Sequence, residues 1–138
     1  MSYLRMTKTS HCSVMSENDE NFDISKFTAG DNFFGQMKEA GIADDAFVRE
    51  IVEMFLNESA GSLQTIDEGF VNNDEQSIRL YSHKLKSSFL MFDMHDAHAL
   101  AEKLEQIEPP IAASHYIFNE LQEICEKSFG LLRLKYLG

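Results

Sequence analysis

Apolar side chains recur every three to four residues along most of this chain, and no stretch alternates at period two long enough to make a strand. From Phe47, the positions Ile51, Val52, Phe55, Leu63, Ile66 and Phe70 gather on one side of a helix. Ile78, Tyr81, Leu85, Phe89 and Phe92 form a second stripe, and Ala97, Leu100, Ala101, Leu104 and Ile107 a third. Ile117, Leu121, Ile124, Cys125, Leu131 and Leu132 form the last. A helix that is apolar on one side must cover that side, so four such helices joined by short loops must cover one another. The expected fold is all-α, an antiparallel up-down-up-down four-helix bundle with a short additional helix on its N-terminal side.

The residues between the stripes suit such a chain. Asp44 or Asp45 starts the first long helix, and Asn72-Asn73-Asp74 breaks it, with Asp74 as the cap of the next. That second helix ends near Asp93, and Pro109-Pro110 stops the third. Asp31 is expected to cap the short additional helix through Phe33, Phe34 and Met37, which Gly41 closes. Residues 1–25 are polar and aperiodic and read as a flexible tail, with a short ordered piece expected near Phe22-Asp23-Ile24. Residues 26–138 are then the helical domain.

Composition removes several function classes. The 138 residues suffice for one domain, and 43% of them are apolar, too many for a wholly disordered chain. A formal charge of −11 argues against nucleic acid and anionic membranes as partners, because both need an extended basic face. The longest apolar run, Phe89-Leu90-Met91-Phe92, is far too short to span a membrane, and no apolar segment follows Arg5 and Lys8 as in a secretory signal. Cys12 and Cys125 lie far apart in sequence, so Cys125 is expected to pack as a small hydrophobe in a reducing, cytoplasmic setting. No large apolar surplus calls for a dimer, and the expected state is a monomer.

The most informative chemistry lies in Ser82-His83-Lys84-Leu85-Lys86-Ser87-Ser88. At 100° per residue His83 points away from the apolar stripe, with Lys86 at i+3 and Ser87 at i+4 beside it. An imidazole, an ammonium and a hydroxyl together suit a phosphoryl group. From Gln76 to Phe92 there is no carboxylate, while Arg79, Lys84 and Lys86 are cationic, a local charge that favours a phosphoryl dianion. Leu80 and Leu90 fall within about 60° of the His83 direction by helical geometry, which puts apolar surface around a reactive group and suits docking of a protein. If the chain reverses at Asn72-Asn73, Ser62 comes level with the histidine, and the small residues there, Ala60, Gly61 and Ser62, leave a shallow depression for a partner's element.

These residues resemble the histidine-containing phosphotransfer (HPt) domain, over about residues 44 to 108. The family pattern is His-x-Leu-Lys-Gly-Ser, then an aliphatic-Gly-Ala turn and a Leu-Glu pair in the next helix. His83, Leu85, Lys86 and Ser88 match, Phe92 takes the aliphatic place, and Leu104-Glu105 is the pair. Ser87 stands where the family has glycine, and Asp93-Met94 where it has Gly-Ala; Ser is nearly as small, and Asp tolerates a left-handed turn. The resemblance implies a phosphorelay carrier and not a stand-alone enzyme. His83 would take a phosphoryl group from the phosphoaspartate of a response-regulator receiver domain or a hybrid histidine kinase, and pass it to another receiver aspartate. Lys86 and Ser87 would assist, and Arg79, Leu80, Lys84, Leu90 and Gly61 would meet the partner. The receiver brings Mg²⁺, so no cofactor of the chain's own is implied. The alternative is a docking or inhibitory module of the same shape that binds a receiver or kinase without carrying phosphate.

A metal-binding bundle enzyme fits less well. Di-iron carboxylate bundles use Glu-x-x-His on two helices, whereas the residues three before each histidine are Lys8, Leu80, Phe92, His95 and Ala112. His95, His98 and Glu102 share one face, expected to be a polar surface, and His115 is expected to be a surface residue at a helix start.

Overall fold

The computed structural model describes residues 24–138, so the expected tail, with Phe22 and Asp23 of the ordered piece, lies almost wholly outside the described residues. A single 3-10 turn at Ile24–Lys26 leads into five α-helices: α1 Asp31–Glu39, α2 Asp45–Val71, α3 Glu75–Met91, α4 His95–Glu105 and α5 His115–Leu132. A 3-10 turn at Ile111–Ser114 precedes α5, and a wider π turn at Arg133–Leu137 follows it. No strand occurs among the described residues. Each of α2 to α5 packs against the next, and α5 returns to α2.

The helix boundaries follow from capping chemistry. Asp44 accepts a hydrogen bond from the Phe47 amide at 2.9 Å, and Asp74 accepts from the Ser77 amide at 3.2 Å and the Ser77 hydroxyl at 2.8 Å. Three helices end in the same way. After α1, α2 and α3 the chain turns at Gly41 (φ 74°), Asn73 (φ 55°) and Asp93 (φ 57°). The next amide in each case bonds back to a carbonyl in the last turn: Ile42 to Met37 at 2.9 Å, Asp74 to Gly69 at 2.7 Å and Met94 to Phe89 at 2.9 Å. Asn and Asp are the non-glycine residues that best tolerate the left-handed region, so Asp93 keeps the turn where the family pattern has glycine. Helix α4 ends at Glu105, ahead of Pro109-Pro110, consistent with the bias of a residue before proline against helix.

Two expectations need correction. Asp31 is the first residue of α1 and not its cap; the cap position is Gly30, with no side-chain hydrogen bond. The Asp31 carboxylate is instead taken by two donors from the C-terminal turn, Lys135 Nζ at 2.6 Å and the Tyr136 hydroxyl at 2.9 Å. Gly30 sits at φ 84°, and a Cβ there would meet the Phe92 ring, the Phe34 ring and the Tyr136 hydroxyl at 3.0–3.2 Å. Glycine is thus required on both conformational and steric grounds.

The buried stripe of α2 is also turned from the expected one. Val48, Val52, Phe55, Leu56, Ser59, Leu63 and Ile66 are buried, whereas Phe47, Ile51 and Phe70 are only half-buried. The long helix must serve α3 on one flank and α5 on the other, which widens its covered face beyond a single line of residues. The other stripes are buried nearly as expected, with Phe118 and Phe129 added on α5. Phe92 lies at the centre, fully buried, with ring centroids 4.2 Å from Phe55, 5.6 Å from Phe34 and 6.3 Å from Phe33. Cys125 is buried as a small hydrophobe, and desolvation pushes its thiol up to about 12.

Candidate functional site

Ile78, Leu85 and Phe89 anchor α3 in the core, which leaves the opposite side of the helix exposed. His83 lies on that side, its side chain 60% exposed, and leans toward the C-terminal end of α4. There the last residue of α4, Glu105, accepts at both carboxylate oxygens. Oε2 lies 2.5 Å from His83 Nδ1, and Oε1 lies 2.5 Å from Lys86 Nζ. Lys86 and Glu105 are each about one-quarter exposed, so the contact is partly shielded from water.

The protonation pattern follows from this geometry. An ionised carboxylate only accepts hydrogen bonds, so His83 Nδ1 carries the proton and donates it to Oε2. The hydrogen bond from Lys86, and next that from His83, hold the Glu105 carboxyl below the usual carboxylate range against the opposing effect of desolvation. The same bond to Glu105 raises the Lys86 ammonium above its ordinary value. In the neutral imidazole with Nδ1 protonated, Nε2 keeps its lone pair and points away from Glu105. In that form the site presents one unprotonated nitrogen to solvent, with an ammonium one helical turn away.

The carboxylate-free window between Gln76 and Phe92 does not survive folding. Glu105, 22 residues from His83 in sequence, enters the site from α4, and Glu75 enters from the start of α3. A local count of charges misses an acid that tertiary packing supplies. Arg79 is likewise committed: it pairs with Glu75 at 2.5 Å and donates to the Ile107 carbonyl at 2.5 Å. It ties α3 to the segment just past α4, which fixes the end of the helix that carries Glu105.

The remaining expected residues divide between two faces. Leu80 and Leu90 are each 51% exposed, and Ser87 is exposed one turn beyond His83, so an apolar surface does flank the imidazole. Gly61 is exposed, and a Cβ there would touch nothing within 4 Å. It lies in a groove of about 480 Å³ between α2 and α3, with Ser62, Tyr81, Lys84 and Ser88 on the walls. Lys84 sits over the Tyr81 ring, 4.6 Å from its centroid. The depression expected beside the histidine is thus on the Lys84 flank of α3, whereas His83 reaches across the other flank to α4.

His95 and Glu102 are exposed and His98 is half-buried. Among the described residues, no three His, Cys, Asp or Glu side chains come together in a way that would hold a metal ion. His115 is more than a surface residue: it is half-buried at the start of α5, its ring 4.9 Å from Phe70 and 5.9 Å from Phe118.

The residue that local reading left without a role is Glu105. Its signal was present as the Glu of the Leu-Glu pair, and also in its place on the helix. A carboxylate at a helix C-terminus is disfavoured by the macrodipole, so one held there asks for a compensating cation. Ser82, fully buried on the core side of α3, was also unforeseen; its hydroxyl has no partner among the described residues.

The Hpt domain family model matches residues 50–129, more than half of the chain. No curated protein and no solved structure matches. The matched span contains His83, Lys86 and Glu105 and runs on into α5, beyond the stretch over which the motif resemblance was drawn. The chain belongs to the Hpt domain family.

Proposed function

We propose that this chain carries phosphoryl groups between receiver domains, with His83 as the residue that is phosphorylated. Domains of this family are phosphocarrier modules that work with receiver domains and histidine kinases. The observation that carries the reading is the exposed His83 ring held by Glu105 at 2.5 Å through Nδ1, which leaves Nε2 as a free nucleophile. The Nε2 lone pair attacks the phosphorus of a receiver's phosphoaspartate in line. The N–P bond forms as the P–O bond to the aspartate breaks, and the electron pair leaves on the aspartate oxygen. The reverse step at a second receiver returns the pair to Nε2. Such a transfer depends on positioning and charge, which Lys86 supplies on this side and the receiver with its Mg²⁺ on the other. Ser87, exposed one turn beyond His83, helps to orient the ring or the phosphate in this reading. Leu80 and Leu90 are the apolar contacts for the receiver, with Arg79, Lys84 and Gly61 at the edges.

The chain acts in this reading as a monomer in the cytoplasm. No helix among the described residues is long and apolar enough to cross a membrane. The short turns between α2 and α3 and between α3 and α4 support the up-down-up-down course.

Incubation with a radiolabelled phospho-receiver tests the proposal. Label on the chain that is acid-labile and alkali-stable, and that is lost in His83→Gln with the fold intact, is the expected outcome. Label that persists in His83→Gln refutes the assignment. Binding of the receiver without any label on the wild-type chain indicates a docking module instead.

A further inference from the structure

Glu105 does more than an ion pair requires. A bond from Lys86 would satisfy one carboxylate oxygen, yet the second oxygen is placed 2.5 Å from His83 Nδ1. The partly shielded position at the end of α4 opposes an anion, so its presence there needs a reason. The reason lies in the loaded state. When Nε2 takes the phosphoryl group, Nδ1 keeps its proton and the ring becomes a cationic phosphoimidazolium. In that form the N–P bond breaks readily, because its electron pair returns to a neutral imidazole. Once the Nδ1 proton is lost, the same cleavage must expel an imidazolate anion, a much poorer leaving group. A carboxylate against Nδ1 stabilises the cationic ring and delays loss of the proton.

We propose that Glu105 is a positioning residue that sets the lifetime of the phosphoryl group on His83, by holding the Nδ1 proton and so keeping the loaded histidine ready to release it. This inference rests on His83 being the carrier. The charged groups near the ring come from both helices. From α3, Lys86 opposes Glu105, but its charge is offset by Oε1; Arg79 is engaged with Glu75 and the Ile107 carbonyl. From α4, Glu102 acts on Lys86 through space and adds to the negative side. Glu105 is the carboxylate that touches the ring, and its removal tips the balance toward early loss of the proton.

Glu105→Gln isolates the effect, since the amide oxygen still accepts from Nδ1 while the charge is gone. Wild type and variant would be loaded with phosphoramidate, and the phosphohistidine followed by ³¹P NMR from neutral to alkaline pH. The inflection that marks loss of the Nδ1 proton should move to lower pH by about one unit in Glu105→Gln. Above both inflections the variant's phosphohistidine should then live about tenfold longer, and midway between them about threefold longer. Glu105→Asp, which keeps the charge, should restore the inflection toward wild type, and thermal melts would verify that all three are folded. Coincident inflections overturn the proposal, including a lifetime altered by one constant factor at every pH. Failure of the wild type itself to load is a separate result, which removes the carrier reading and this inference together.

Discussion

At the scale of single residues, the site is a division of labour around one carboxylate. His83 and Lys86 were legible in the sequence because they are three residues apart on one helix, and helical geometry alone sets them side by side. Glu105 was legible only as the Glu of the family's Leu-Glu pair, and its approach to His83 was not, because it depends on how α4 packs against α3. The same packing engages Arg79, which local charge counting left free to meet a partner. In the resting site Lys86 is turned to Glu105, and in the proposed transfer it is the cation one helical turn from the phosphorylated ring. Lys86→Ala should therefore slow transfer from a phospho-receiver roughly tenfold, the scale of one lost charge-assisted hydrogen bond. Stopped-flow transfer kinetics would measure it, and an unchanged rate would remove Lys86 from the mechanism.

At the scale of elements, the helices are written in the chain more clearly than their faces. Capping residues and turn signals located α2, α3 and the end of α4 because each acts over three or four residues, while α5 was marked by its apolar period. The rotation of the α2 stripe was not legible, since Val48 and Leu56 become core only through tertiary packing, Val48 beside Phe34 and Tyr136. Asp31 looked like a cap for the same reason, its true partners being Lys135 and Tyr136 at the far end of the chain. The turn after α3 is the departure with a measurable consequence. Asp93 holds φ at 57°, which a glycine adopts without strain. Asp93→Gly should stabilise the protein by about 0.5–1 kcal/mol in chemical denaturation, after the larger backbone entropy of glycine in the unfolded chain is offset. A loss of stability would mean that the Asp93 side chain contributes more than its turn.

At the scale of the whole molecule, the core and the site are joined through α3. Its inner side packs on Phe55 and its neighbours, while its outer side carries His83 between two exposed leucines. Phe92 and Gly30 tie α1 to the end of that helix, and Tyr136 closes the C-terminal turn over the same region, its single hydroxyl proton shared between Asp31 and the Ala29 carbonyl, each 2.9 Å away. Rigidity of this kind suits a carrier, because a transfer step needs the nitrogen held in place more than it needs the protein to move. The central claim is that this packing leaves Nε2 of His83 open and keeps the proton on Nδ1. The most direct test is ¹⁵N and ³¹P NMR of the chain with labelled histidine, loaded from a phospho-receiver. Phosphorus coupled to Nε2 of His83, with Nδ1 still protonated near neutral pH, is the expected result. Phosphorus on Nδ1, or on any other residue, would contradict it.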